Sequence, residues 1–143
     1  MNQKSEFNFI SFDEGISRIK KVLKNKIDKV ITSRDPIIQE TKKALEITKL
    51  PIGFQKWQLP VFFEGKGAQF FISYGEPNSV VAEHFHDEGD GMRFIISGSV
   101  IHNNVELTQN DWMFIPEKAP YSLKVGALGV VMFYCYQCCC VPT

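Results

Sequence analysis

The residues of this 143-residue chain best placed to do chemistry are His84 and His86. Side chains two apart on a strand share a face, so the two imidazoles point the same way, with Glu83 and Phe85 on the other side. Two ring nitrogens presented side by side can bind one divalent metal ion, a donor type that suits Fe, Mn, Ni, Cu or Zn. A pair of partly exposed strand histidines with no ligand is the plainer reading of the same residues. A second concentration of reactive side chains lies near the C-terminus, where Cys135, Cys138, Cys139 and Cys140 crowd together. Four cysteines this close cannot staple a fold and lack the distant second pair of a zinc ribbon, so they read as reduced thiols. Cys135 is expected in the last strand as a small apolar filler, and the other three in an exposed, oxidation-prone tail. Cys140-Val141-Pro142-Thr143 has the outline of a prenylation box, which the proline beside the last residue fits poorly.

The elements that must position these residues change character a third of the way along the chain. Ile16, Ile19, Val22 and Leu23 recur at helical spacing while Lys20, Lys21, Lys24 and Lys26 take other faces, which predicts an amphipathic first helix. Asp35-Pro36 reads as the N-cap and first residue of a second helix running to about Thr48, with Ile38 and Leu45 facing inward and Leu50-Pro51-Ile52-Gly53 ending it. From about Trp57 onward, short runs rich in Phe, Val, Ile and Tyr are punctuated by Gly, Asn, Pro and Asp. The predicted strands are 59–63, 69–74, 79–86, 92–96, 100–102, 105–107, 112–115, 121–125 and 130–136, with Gly65-Lys66-Gly67 and Asn103-Asn104 as hairpin turns. Phe62, Phe63, Phe70, Phe71, Phe94, Phe114 and Phe133 read as packing, while Trp112 and Tyr134 either line the barrel or face another subunit. A closed barrel or sandwich follows.

A chain of this length buries a continuous core without disulfides and needs no second domain. The expected organisation is a helical segment, 1–52, packed on a barrel, 53–143. Basic and acidic residues balance at 16 each, so no global field favours nucleic acid or an anionic membrane. The lysine run of the first helix contains no aromatic residue on which bases could stack, and it reads as a solvated face. Met1-Asn2-Gln3-Lys4-Ser5 has no apolar run behind a basic start, and nowhere do about 18 apolar residues run together. The expectation is a soluble, cytoplasmic protein whose partner is a small-molecule ligand or substrate, with no nucleic acid and no membrane.

The stretch Glu83-His84-Phe85-His86, followed by Gly91-Met92-Arg93-Phe94-Ile95-Ile96-Ser97-Gly98, resembles the first motif of the cupin superfamily. That motif has a His-x-His pair, then a glutamate, then a turn glycine, which Gly98 matches. Asn110-Asp111-Trp112-Met113-Phe114-Ile115-Pro116-Glu117-Lys118-Ala119-Pro120-Tyr121 resembles the second motif, a Gly-Asp pair, a strand ending in Ile-Pro and then a histidine. Asp111 and Pro116 match it, and Asn110 can make the turn that glycine makes. Two motifs in order imply a mainly β, single-domain cupin, a double-stranded β-helix or jelly-roll barrel, preceded by two α-helices. The resemblance also implies four metal ligands, at positions 84, 86, 91 and 121. This chain keeps His84 and His86 but has Gly91, with no side chain, and Tyr121, a poorer ligand than imidazole. The acidic loop Asp87-Glu88-Gly89-Asp90 offers replacements for the missing carboxylate, Asp90 falling in the slot; without a ligand role the loop is a solvated, glycine-rich turn. Within cupins, the first motif through Arg93 and Gly98-Ser99 is similar to that of acireductone dioxygenase, where such an arginine faces the substrate. Arg93 shares a face with position 91 and turns toward the cavity, where burial is costly unless it meets an anion or a carboxylate. It either grips a substrate carboxylate or enolate in two-pronged fashion or pairs with Asp90 or Glu88.

Three functions follow as expectations. A metal-dependent, dioxygenase-like enzyme acting on a small organic acid or diketone-like substrate would hold one divalent ion on His84, His86 and Asp90. Arg93 would then neutralise charge on oxygen, and Tyr121 would donate a hydrogen bond or proton. A metal-free isomerase or epimerase would use a cavity histidine and Tyr121 as base and acid. A non-catalytic cupin would bind a small molecule or assemble with itself. The resemblance implies a homodimer in each case, with the N-terminal helices covering the sheet or embracing a partner.

Overall fold

A computed structural model of the chain describes residues 3–4, 10–24, 30–62, 68–87 and 89–137. Its helices are α1 (Phe12–Val22) and α2 (Pro36–Thr41). Its strands are β1 (Gln3–Lys4), β2 (Glu46–Ile47), β3 (Phe54–Gln58), β4 (Ala68–Gly75), β5 (Val80–Phe85), β6 (Gly91–His102), β7 (Val105–Leu107), β8 (Trp112–Ile115) and β9 (Tyr121–Gln137). The spine of the sheet is β9. It pairs antiparallel with β6 along one side, and along the other with β5 at its start and β4 toward its end. Beyond β4 the sheet continues through β3 and β2, β1 adds to β5 in parallel, and β7 and β8 pair the outer side of β6. The architecture is mainly β in a single domain with two N-terminal helices, as the sequence predicts.

Period-two alternation decides what faces inward. On β9 the buried residues include Val130, Met132, Tyr134 and Tyr136; on β4, Gln69, Phe71 and Ser73; on β6, Gly91, Arg93 and Ile95. Val81, Ile95, Val100, Met113, Ile115, Leu123, Val125 and Met132 pack into one apolar cluster, and Ile10, Ile47, Phe71, Tyr134 and Tyr136 into another.

Bulges adjust this phase where it matters. Val81 pairs with Leu123 but His84 with Tyr121, so β5 uses three residues where β9 uses two. Strict alternation from buried Val81 would bring Glu83 inward; the extra residue brings His84 instead. In β6 a second bulge falls at Gly98, whose φ of 71° is left-handed. A Cβ there would also collide with the carbonyl oxygen of Gly129, so only glycine fits.

Several sequence expectations change accordingly. Gly98 is a bulge inside a continuous β6, not a turn between strands 92–96 and 100–102, and 121–125 and 130–136 are likewise one strand, because a bulge bends a ladder without ending it. The strand placed at 59–63 lies earlier, at Phe54–Gln58. Leu59 still donates its N–H to Phe70 O, but Pro60 has no N–H with which to continue. The second helix ends at Thr41 instead of Thr48: the Thr41 hydroxyl donates to Ile38 O (2.7 Å), and fully buried Leu45 leads straight into β2. Asp35 is its N-cap by position, although its carboxylate accepts from Thr32 N–H instead of from the helix. Phe94 and Phe114, expected to be packed, are exposed with Trp112 on the outer face of β6 and β8. Asn103 and Asn104, with φ of 48° and 64°, form the predicted hairpin turn. Gly65-Lys66-Gly67, Phe63, Lys26, Glu88 and Cys138–Cys140 lie outside the described residues.

Two buried glutamines fasten α1 to the barrel. Gln58 Nε2 donates to Gly15 O (3.0 Å) and Gln69 Nε2 to Ile10 O (3.0 Å), while Gln69 Oε1 accepts from Gln58 Nε2 (3.4 Å). Ser11 caps the helix by accepting from Glu14 N–H, and Ile19 is its most buried side chain. Replacing Gln69 by Leu keeps the size but strands Ile10 O and Gln58. Urea unfolding of Gln69→Leu is expected to show a loss of about 1–3 kcal/mol, with faster hydrogen exchange in α1 as the local signature.

Candidate functional site

The site is assembled from strand ends and one clamped loop. Pro116 ends β8, Lys118 takes a left-handed φ of 65°, and the resulting turn reaches back across the barrel. Lys118 N–H donates to His86 O (2.6 Å) and Glu117 N–H to Asp90 Oδ1 (2.9 Å), so both ends of the loop after β5 are held. The preceding turn forms as expected, with Asn110 left-handed at a φ of 74° and Asp111 Oδ2 accepting from Thr108 N–H (2.8 Å).

His84, His86, Arg93 and Tyr121 come together as the sequence predicts. The His84 ring centroid lies 4.9 Å from that of His86, edge to face, and 4.5 Å from that of Tyr121. His84 Nδ1 is 2.8 Å from Ala82 O, and since a carbonyl only accepts, Nδ1 carries the proton and Nε2 is the acceptor. Arg93 Nη2 donates to Tyr121 Oη (3.3 Å), and the same oxygen is 3.3 Å from His86 Nε2. Tyr121 can therefore accept from the guanidinium while its own proton points at His86. Arg93 does not pair with Asp90, whose bonded partner is the backbone of Glu117.

Sequence reasoning missed Lys56, which is only 2 % exposed. Its ammonium nitrogen lies over the rings of Phe71 (4.4 Å) and Tyr134 (4.6 Å), and the Arg93 guanidinium lies over the same Tyr134 ring (4.2 Å). Alternation within Phe54-Gln55-Lys56-Trp57-Gln58 was the available signal, but the sequence predicts the strand only from residue 59, and lysine is almost never fully buried. Tyr134, undecided from sequence, is an inward residue of β9, whereas Trp112 is outside.

These charges set the ionisation of the interior. Burial, then the charge of Arg93, holds the Lys56 amine well below the ordinary lysine range. His86 is pushed down to about 3, first by burial and then by His84, Arg93 and Lys56, against an opposing pull from Asp87. Burial also lowers His84, with the Ala82 hydrogen bond opposing and Arg93 adding to the effect. Cys135 is half-buried in β9 as expected, and burial raises its thiol.

The described residues do not fit a divalent cation. The position implied for the ligating carboxylate is occupied: a Cβ on Gly91 would lie 2.7 Å from Tyr134 Oη and 3.1 Å from its ring. Asp90 is engaged by Glu117, and the carboxylate felt at His86 is that of Asp87. Among the described residues no three His, Cys, Asp or Glu side chains are grouped to hold a metal. The interior presents two cations, Lys56 and Arg93, where a metal would need further donors beside the two imidazoles.

No family model matches the chain, and no curated protein matches it. Solved structures do. An RmlC-like cupin from Shewanella frigidimarina superposes with a TM-score of 0.55 at 14% identity, over 78% of this chain and 91% of that one. The fold is that of a cupin. KdgF from a Halomonas species gives a TM-score of 0.54 at 12% identity, over 63% of this chain and 84% of that one. A protein of unknown function with a cupin-like fold from Ralstonia eutropha gives 0.50 at 14% identity over 59% of this chain, which spans 55% of that protein's length. At such identities the cupin fold is shared and activity does not transfer. Among the described residues no helix of this chain is long and apolar enough to cross a membrane.

The depressed His86 makes a prediction for stability. A folded imidazole at about 3 binds fewer protons than its unfolded counterpart at 6.5. Its stabilising contribution is therefore full above 6.5 and drains away as pH falls toward 3. Between pH 6.5 and 4 the wild-type unfolding free energy should fall by about 3 kcal/mol more than that of His86→Gln, measured by urea titration at each pH. Parallel curves for the two proteins would contradict a depressed His86.

Proposed function

We propose that this cupin binds a small organic acid and that His86 and Tyr121 move a proton on it, in an isomerase- or epimerase-type reaction that uses no metal. The observation that supports this reading is the buried relay from Arg93 through Tyr121 to His86, in which a fixed cation, a hydroxyl and a neutral imidazole touch in sequence. His86 takes the proton from a carbon beside a carbonyl or carboxylate, and Arg93 holds the negative oxygen that develops. Tyr121 returns a proton to carbon and is then reprotonated from His86 across their hydrogen bond. In the empty cavity His86 is a weak base, and two of the causes are the charges of Arg93 and Lys56. An anionic substrate beside those cations counters both, so binding itself moves His86 toward a useful basicity. The dioxygenase-like alternative shares Arg93 and the organic acid, but it needs a third metal ligand that the described residues do not supply.

The test needs no knowledge of the natural substrate. Small 2-oxo, 3-oxo and 2-hydroxy acids are incubated with the protein in D2O, and loss of the proton beside the carbonyl or carboxylate is followed by NMR. Exchange is expected for at least one compound, unaffected by EDTA, and reduced about 100-fold or more in His86→Gln and Tyr121→Phe. No exchange by the wild type, or exchange abolished with the removal of a stoichiometric metal, would overturn the metal-free reading.

For assembly, we propose the homodimer implied by the cupin resemblance, formed through the outer face of β6 and β8. Phe94 sits opposite Trp112 and Met92 opposite Phe114 in the ladder, and Trp112 and Phe114 are 58% and 51% exposed. The strip contains no charge, and a two-fold axis would lay it against itself. Sedimentation should give a dimer for the wild type and a monomer for the double variant Phe94→Lys, Trp112→Lys; a monomeric wild type refutes this interface.

A further inference from the structure

We propose that Lys56, Ser73 and Arg93 form an anion site that receives the carboxylate, or another small oxyanion, of the ligand. The three residues line one small cavity, open at its mouth, between apolar walls of Val81, Leu123 and Met132. Two of them bring unsatisfied donors: Ser73 Oγ and Arg93 Nε are buried with no hydrogen-bond partner, and the Lys56 ammonium lies beside them over the rings of Phe71 and Tyr134. Leaving such groups unpaired costs free energy for each one, and two unpaired donors converging with an ammonium on a single space form a built site rather than separate accidents.

The sign of the ligand follows from what surrounds Lys56. It faces Phe71 and Ser73 from β4, Tyr134 from β9 and Arg93 from β6, and its charge is felt at His86 beyond β5. None of these is a carboxylate. Ring faces soften an ammonium's desolvation but do not replace a counter-ion. In a dry, apolar-walled space, an oxyanion would be held by the ammonium, the guanidinium Nε–H and the serine hydroxyl together, in charge-assisted bonds stronger than neutral ones. In the empty site burial and Arg93 hold the lysine well below its ordinary range, and a bound oxyanion would favour its charged form.

This inference deepens the acid–base reading by naming the charged end of the substrate, and rests on that reading only for the ligand's identity. The site itself uses residues other than His86 and Tyr121. Acetate, malonate and inorganic phosphate are titrated into the full chain by calorimetry at matched ionic strength, with melting curves alongside. The wild type is expected to bind at least one of them saturably and to melt higher when it does. Lys56→Met, of similar size, should melt higher than the wild type when empty and bind about tenfold or more weakly. Saturable binding of carboxylates alone assigns the site to organic acids, and binding of phosphate assigns it to oxyanions generally; either supports the site. No saturable binding by the wild type overturns it, as does unchanged affinity in Lys56→Met. If that variant does not fold, Ser73→Ala decides, since it removes a single buried hydroxyl: weaker binding supports the site and unchanged affinity overturns it. Proton exchange without anion binding sinks this proposal alone, and anion binding without exchange sinks the acid–base reading alone.

Discussion

Two cationic side chains enclosed in one barrel set the terms for the rest of this structure. Moving an ion out of water costs several kcal/mol even after the protein relaxes around it, and Lys56 and Arg93 are both almost fully buried, with no carboxylate beside either among the described residues. The apolar clusters of the inner sheet face can carry that cost, since each fully buried Val, Leu or Met contributes about 1.5–3 kcal/mol. Stability alone would have placed such residues at positions 56 and 93 as well. Their neighbours are arranged around the two charges instead. Tyr134 offers its ring to both, and Tyr121 accepts a hydrogen bond from Arg93. Gly91 leaves the space that the Tyr134 ring needs.

The same constraint bears on the histidine pair, whose spacing suggests a metal site. A metal cavity is lined with anionic or neutral donors so that the ion is the positive charge in the centre. In this chain the positive charges belong to the protein, and they depress both imidazoles along with burial. A neutral imidazole joined to a tyrosine and an arginine is suited to moving protons on an anion.

What places these groups is largely backbone. The β5 bulge turns His84 inward in place of Glu83, and the turn at Glu117 and Lys118 holds the loop after His86 by main-chain bonds. The residues of the second motif thus act through the turns they make. Asn110, Asp111 and Pro116 flank β8, which touches the site through its ends, and only Tyr121 contributes a side chain to it.

By itself the sequence determined whatever depends on local sterics and on period. The start of the second helix at Pro36, the Asn103-Asn104 hairpin, the left-handed Asn110 and the inward Arg93 were all legible, as was a β-barrel preceded by helices. These follow from proline's missing N–H, asparagine's tolerance of positive φ and strand alternation. Tertiary structure decided what depends on phase and on neighbours distant in the chain. Alternation says that His84 and His86 share a face, but only the pairing with β9 shows that a bulge makes it the inner one. Only β4, β6 and β9 closing around Lys56 bury it, while the second helix stopped short because β2 had a partner in β3. In each case the deciding term was the burial free energy of contacts across the barrel, which exceeds the local preferences that a sequence displays.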